Sequence, residues 1–239
     1  TDGEAMVTWY DDNGASSTLE VDTLAFQAGN TPDIIINFSS RGPGVGNVLK
    51  PDIAAPGVNI LAQGYGSGTG EDRHLGFGQV SGTSMASPHV AGSATIMRQL
   101  HPDWSNAAIK SALMSTSKYM DIYNDDGTPA QPLDMGAGRL DLTNAADPGV
   151  ILDPPSLSFG VVETGTMTSM TVNVTSVADA AETYELSTLY TGAGFAISET
   201  TTLPGFTVSP TMVTLAPGES QLVHVSFDAD SSMGVGENQ

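Results

Sequence analysis

The sequence predicts an α/β segment followed by an all-β sandwich. Three observations carry that expectation. Strand-like runs and helical periodicities alternate as far as about residue 150. Asp153-Pro154-Pro155 then punctuates the chain as a linker. Beyond it, short alternating runs follow one another between Pro- and Gly-rich turns, with polar Thr and Ser on the outer faces.

In chain order, Ala5–Tyr10 (AMVTWY) reads as a strand and Asp11–Ser17 as a turn or loop. Asp33–Ser39 (DIIINFS) is a continuous apolar run with three isoleucines, the pattern of a strand buried on both faces. Ser40–Asn47 is loop because of its glycines and proline. In Lys50–Gln63 two prolines precede a short strand, Val58–Ala62. Gly64–Asp72 reads as a flexible surface loop and Phe77–Gly82 as a short strand.

From Ser84 the texture becomes helical. Met85, Val90, Ala94, Met97 and Leu100 fall near helical spacing, and Ala86, Ala91, Gly92 and Ser93 occupy the other faces. Small residues on most faces predict a helix over Ser84–Leu100 packed closely on several sides. Pro88 is expected within about the first turn, where a missing N–H costs little. Asp103–Ser117 predicts a second helix, with Ser105 as N-cap and Ala108, Ile109, Ala112 and Leu113 as its apolar stripe. After the linker, LSFGVV, SMTVNVTSV, ETYELST, GFTVSP, MVTLAPGES and QLVHVSFDA are the expected strands.

Composition narrows the function. The chain carries 7 basic and 27 acidic residues, a net charge of -20. Such a surface repels phosphate backbones, which argues against nucleic acid as a partner, and it favours solubility and cation binding. A secreted acidic protein is the plainer account of the charge; a salty habitat is the other. At 39% hydrophobic the chain can bury a core. It has no run of about 18 apolar residues, so no membrane span is expected. With no cysteine, no disulfide staples it. The triplets Asn37-Phe38-Ser39 and Asn173-Val174-Thr175 match a glycosylation pattern that often arises by chance. The chain begins at Thr1 without a signal peptide, so either a leader has been removed or the chain begins inside a longer one.

Ser81–Gly92 (SGTSMASPHVAG) is the most informative stretch. A serine hydroxyl is a weak nucleophile until a base takes its proton, a third group orients that base, and donors face the developing oxyanion. Gly82 allows a tight turn before Ser84, and a helix starting there presents unpaired N–H groups and the positive end of its dipole. The same local pattern also suits an ordinary Ser N-cap on a buried helix, and on local features alone that is the commoner origin.

GTSMASPHVAG resembles the catalytic-serine motif of subtilisin-like serine proteases. FSSRGP (Phe38–Pro43), LKPDIAAPGVNIL (Leu49–Leu61), HPDWSNAAIKSALMSTS (His101–Ser117) and MGAGRLDLTNAADPGVILD (Met135–Asp153) resemble successive blocks of that family, in the same order. The resemblance covers about residues 32–153 and is closest to large subtilases with a protease-associated insertion before the serine block and a fibronectin type III-like domain after it. It implies part of a subtilisin-like parallel-sheet catalytic domain followed by an immunoglobulin/fibronectin III-like sandwich. Residues 1–29 would be the end of the insertion and the return to the catalytic sheet. Residues 30–150 would be the C-terminal part of the catalytic domain, and 151–239 the sandwich, incomplete at its end.

The resemblance further implies Ser84 as nucleophile, with its N–H donating into the oxyanion hole. Thr83 would support that site, and Gly82 would line the cleft beside the scissile bond. Family order is Asp, His, Ser, and the Asp, His and oxyanion Asn blocks are not in this chain. Of the local histidines, His89 lies five residues past Ser84 and its side chain diverges from it, so it reads as structural. His74 sits in a polar loop, His101 in a turn between helices and His224 in a β strand.

A serine endopeptidase acting on extended proteins or peptides through an acyl-enzyme is thus one expectation, with an upstream Asp/His-bearing segment as partner and a secreted or extracellular location. No cofactor is required; the resemblance admits calcium, which subtilases often bind, but the sequence does not place its site. Met120–Ala130 clusters Asp121, Asn124, Asp125 and Asp126, but Ile122 and Leu133 occupy two EF-hand ligand positions, so a solvated loop is expected there. The competing expectation is a non-catalytic structural or adhesive module that keeps the core for packing and binds through its β domain.

Overall fold

The computed structural model describes residues 30–65, 75–189 and 205–229, together with Thr8, Asp11 and Asp12. Thr1–Asn30 and Thr31–Gln239 form two units. In the first, Thr8, Asp11 and Asp12 are helical, where strand and turn were expected. So short a mixed apolar and polar run does not separate a helical turn from a strand. The rest of Ala5–Ser17 lies outside the described residues, as do 66–74 and His74.

The second unit opens with β1 (Ile34–Ile35), which pairs in parallel with β4 (Tyr123–Asn124). β1 is far shorter than its isoleucine run suggested, and both its residues are only half-buried. Among the described residues its ladder neighbour is the two-residue β4 alone, and Ile34 and Ile35, which point to opposite faces, are both partly accessible. β2 (Ile60–Tyr65) and β3 (Leu75–Val80) form an antiparallel pair, with Ile60 opposite Val80.

β3 leads straight into α1 (Thr83–Leu100). α2 (Asn106–Ser115) follows, and its N-cap is Ser105, whose hydroxyl accepts the Ala108 N–H at 3.1 Å. Two one-turn helices, α3 (Pro132–Met135) and α4 (Leu142–Ala145), close the helical part. Between the two long helices His101 is more than a turn residue: its Nε2 lies 2.9 Å from the Ala146 carbonyl, and its ring stacks on Trp104 at 3.7 Å.

α2 is the packing centre. Ile109, Ala112 and Leu113 meet Met97 of α1, Ala145 of α4 and Ile151 in one core. Burying side chains of the Ile, Leu and Met size contributes about 1.5–3 kcal/mol each. β5 (Val150–Asp153) runs along α2, and its Leu152 N–H donates to the buried Ser111 hydroxyl at 2.7 Å.

β5 also begins the second half of the unit, so this stretch belongs to both. It pairs with β6 (Met167–Ser176) in a four-stranded antiparallel sheet of order β5-β6-β10-β8, where β8 is Phe206–Ser209 and β10 is Ser220–Asp228. β7 (Glu182–Glu185) and β9 (Met212–Leu215) form a second antiparallel pair. Val174 and Val223 from the first sheet and Val213 and Leu215 from the second share one core. Alternation decides which side chains enter: Val223 and Phe227 are buried while Leu222 and His224 of the same strand are exposed. Phe159, Phe206 and Phe227 pack ring to ring, with Phe206 and Phe227 stacked at 4.5 Å. Five of the six expected strands are present. LSFGVV is not one: Leu157–Val162 has no ladder partner, although it supplies Phe159 to that ring cluster.

Candidate active site

Ser84 is the second residue of α1, so it is not the N-cap; that position belongs to Gly82, in extended conformation and with no side-chain cap. The Gly82 carbonyl accepts the Met85 N–H at 2.9 Å and, more loosely, the Ala86 N–H at 3.4 Å. The Gly82 N–H is taken by the Gly57 carbonyl at 2.8 Å. Among the described residues no backbone carbonyl accepts from the Thr83 and Ser84 N–H groups, as expected in the first turn of a helix. Thr83 and Ser84 are exposed and Gly82 half-buried. Ser84 therefore stands at the positive end of an 18-residue helix with solvent on its hydroxyl and donors beside it.

Pro88 is deeper in the helix than expected, the sixth residue counting Thr83 as the first. It has no N–H to offer the Ser84 carbonyl four residues back, and its ring crowds that carbonyl. The helix is thus weakened at the Ser84 peptide.

Small residues were expected to mark close packing around α1. In this chain only Ser93 and Met97 of α1 are buried. Ser84, Ser87, Ala91, Gly92, Thr95 and Ile96 are exposed, and a Cβ on Gly92 would meet nothing within 4 Å. On another side of the helix, a cavity of about 680 Å³ lies between α1 and α2, walled by Val90, Ala94, Ile109 and Leu113.

His89, expected to be structural, is engaged away from Ser84. Its Nδ1 lies 2.8 Å from the Met85 carbonyl, and no hydrogen bond connects it to Ser84. His101 and His224 belong to the interhelical tie and the outer face of β10. Among the described residues no histidine or carboxylate hydrogen-bonds Ser84. Asp52, on the loop before β2, is held by Lys50 at 2.7 Å and Lys110 at 2.9 Å. Burial pushes its pKa up, but the hydrogen bonds and charges of the two lysines outweigh that and hold the carboxyl below its ordinary value. Asp52 is a structural anion tying this loop to α2.

The acidic loop after α2 is organised by its own chain. Asp126 Oδ1 accepts from the Thr128 hydroxyl at 2.6 Å and the Thr128 N–H at 2.9 Å, and these bonds lower its pKa. Asn124 is buried, bonded to Arg41 at 2.9 Å and Asp134 at 3.1 Å. Among the described residues no three His, Cys, Asp or Glu side chains gather as metal ligands.

Residue patterns had not picked out the groups that brace the Ser84 turn. Asn59 donates its N–H to the Ser81 hydroxyl at 2.8 Å, and Gln79 Nε2 donates to the Asn59 carbonyl at 3.1 Å. Two local signals point there afterwards: the Pro56-Gly57 pair and an asparagine in left-handed conformation, Asn59 at φ 53.

A family model described as the Subtilase family matches residues 8–149. Subtilisin-like protease SBT1.7 of Arabidopsis thaliana is 40% identical over 164 residues, covering 62% of this chain and 21% of that protein. Subtilisin-like protease SBT1.6 of the same plant is 44% identical over 133 residues, covering 50% and 17%. The chain thus spans about a fifth of the length of these relatives. Among solved structures, fervidolysin from Fervidobacterium pennivorans, described as a keratinolytic enzyme related to subtilisin, aligns with 80% of this chain and 24% of its own at 20% identity and a TM-score of 0.34. No helix among the described residues is long and apolar enough to cross a membrane.

Proposed function

The chain belongs to the subtilase family, and on that premise we propose that it carries the nucleophile of a serine endopeptidase. Ser84 Oγ attacks the carbonyl carbon of a peptide bond and gives its proton to a histidine. The tetrahedral oxyanion is received by the Ser84 N–H, with Thr83 supporting that corner. Collapse of the intermediate expels the amine, which takes the proton, and leaves an acyl-enzyme on Ser84 that water then hydrolyses. The histidine, its orienting aspartate and a second oxyanion donor from asparagine come from a segment upstream of Thr1, the partner this half-site needs. Gly82 lies beside the substrate backbone: a Cβ there would touch Met85 Sδ only at 3.6 Å, so the local packing does not demand a glycine. Proteins or peptides in extended form are the substrates, outside the cell.

The single observation that carries the reading is the position of Ser84. It is exposed at the second residue of α1, with the helix's free amide donors beside its hydroxyl. The paired sheets over residues 150–228 support a fibronectin III-like accessory sandwich, and residues 30–150 supply the C-terminal part of the catalytic domain. The test is fluorophosphonate labelling of the native preparation, with the modified site mapped by mass spectrometry. Labelling at Ser84, lost in Ser84→Ala, is the expected result. A folded protein that does not label at Ser84 would sink the peptidase reading and leave a structural or adhesive module in its place.

A further inference from the structure

We infer that Gly57, Asn59 and Ser81 are positioning residues for Ser84, forming a two-point clamp that sets the direction of the nucleophile's turn. The inference rests on the peptidase reading and deepens it. Two bonds join the 57–59 loop to the residues that lead into α1. The Gly57 carbonyl takes the Gly82 N–H at 2.8 Å, and the Ser81 hydroxyl takes the Asn59 N–H at 2.8 Å. They flank one peptide on the helix side, so they restrain both the position and the rotation of the Ser81–Gly82 unit. Gln79 holds the same loop through the Asn59 carbonyl at 3.1 Å.

The turn needs such bracing. α1 has no side-chain cap, and Pro88 removes the helical hydrogen bond to the Ser84 carbonyl. Left to itself, the first turn of such a helix frays. The clamp replaces the missing restraint from outside the helix. It also requires its particular residues. A Cβ on Gly57 would stand 2.8 Å from the Gly82 carbonyl oxygen and 3.2 Å from the Ala86 Cβ, so only glycine lets the loop lie this close. Asn59 holds φ 53, a left-handed conformation that asparagine tolerates better than most residues. None of the three is placed to touch the reacting atoms; they act through the backbone that carries Ser84. A displacement of the order of 1 Å at a reacting group lowers rates about a hundredfold.

The experiment measures fluorophosphonate labelling of Ser84 as a full time course in the native preparation, for the unmodified protein and for Ser81→Ala, Ser81→Thr and Gly57→Ala. The saturating rate constant, the probe concentration at half-saturation and the final stoichiometry are read separately. Ser81→Ala is expected to slow the saturating rate by roughly tenfold or more, with half-saturation and stoichiometry unchanged, and Ser81→Thr, which keeps the hydroxyl, to restore it. Gly57→Ala is expected to slow it further. A Ser81→Ala protein that labels at the normal rate overturns the clamp while leaving the nucleophile in place. So does one that loses only stoichiometry, because that is a folding defect, and so does a threonine that fails to rescue. If the unmodified protein is not labelled, the nucleophile itself has failed and the clamp falls with it.

Discussion

α1 and α2 are adjacent in the chain and opposite in their surroundings. α1 has 18 residues and buries two of them; α2 has ten and buries five. The longer helix bears the proposed nucleophile, Ser84, in its first turn, where Thr83 and Ser84 are exposed. The shorter one, capped by Ser105 and packed on β5, holds the unit together. In this chain, then, the densest packing and the proposed nucleophile sit on different helices. Truncations at the core of α2 and on the exposed face of α1 should separate a large cost in stability from a small one.

Two truncations test that separation most directly. Leu113→Ala removes a side chain only 4% exposed in the α2 core and is expected to cost about 2–5 kcal/mol in urea denaturation. Ile96→Ala, on an α1 residue 45% exposed, should cost less than about 0.5 kcal/mol. Equal costs in the native preparation would break the comparison, because they would mean the open face of α1 is covered in solution. The next effect is at the seam with the β half. Ser111→Ala leaves the Leu152 N–H without its acceptor and should cost about 1–3 kcal/mol, read from the same denaturation curves.

The two smaller effects depend on pH. Asp52 has a folded pKa below its ordinary value of about 3.9, because hydrogen bonds from Lys50 and Lys110 outweigh a burial that raises it. Its contribution is present above that ordinary value and is lost as pH falls through the lower folded one. Asp52→Asn should therefore flatten the acid limb of the melting curve by less than about 1 kcal/mol, since solvent screens these pairs. At the other extreme, Tyr184 of β7 is pushed up to about 12 by burial first and by its hydrogen bond to Glu182 second. Its contribution is present below the ordinary tyrosine value of about 10 and is lost as pH rises through about 12. An absorbance titration should show one tyrosine step near 12 that disappears in Tyr184→Phe. A normal step there would separate Tyr184 from Glu182.

Much of the local structure was legible beforehand. The span of both long helices, the Ser105 cap and five of six strands in the β half follow from periodicity and cap chemistry, which act over a few residues. The two-isoleucine stub of β1 and the helical Thr8 were not legible, because short apolar runs carry no decisive period. LSFGVV looked like a strand because its apolar residues alternate, but it joins no ladder.

The sequence by itself determined where the GTSMASPHVAG motif lies, that a helix begins at about Ser84, and which family the chain resembles, because all of these are written in contiguous residues. The structure also shows two local details the sequence left open, that Ser84 is the second helical residue rather than the cap and that His89 turns to the Met85 carbonyl one turn back. Tertiary structure alone decided that His101 ties to Ala146 and that the 57–59 loop grips the turn before α1. Each of these depends on where a backbone group arrives after the chain has turned. Hydrogen bonds require placement within a few tenths of an ångström, and no local periodicity encodes the path that brings residues 25 or 45 positions apart to that distance.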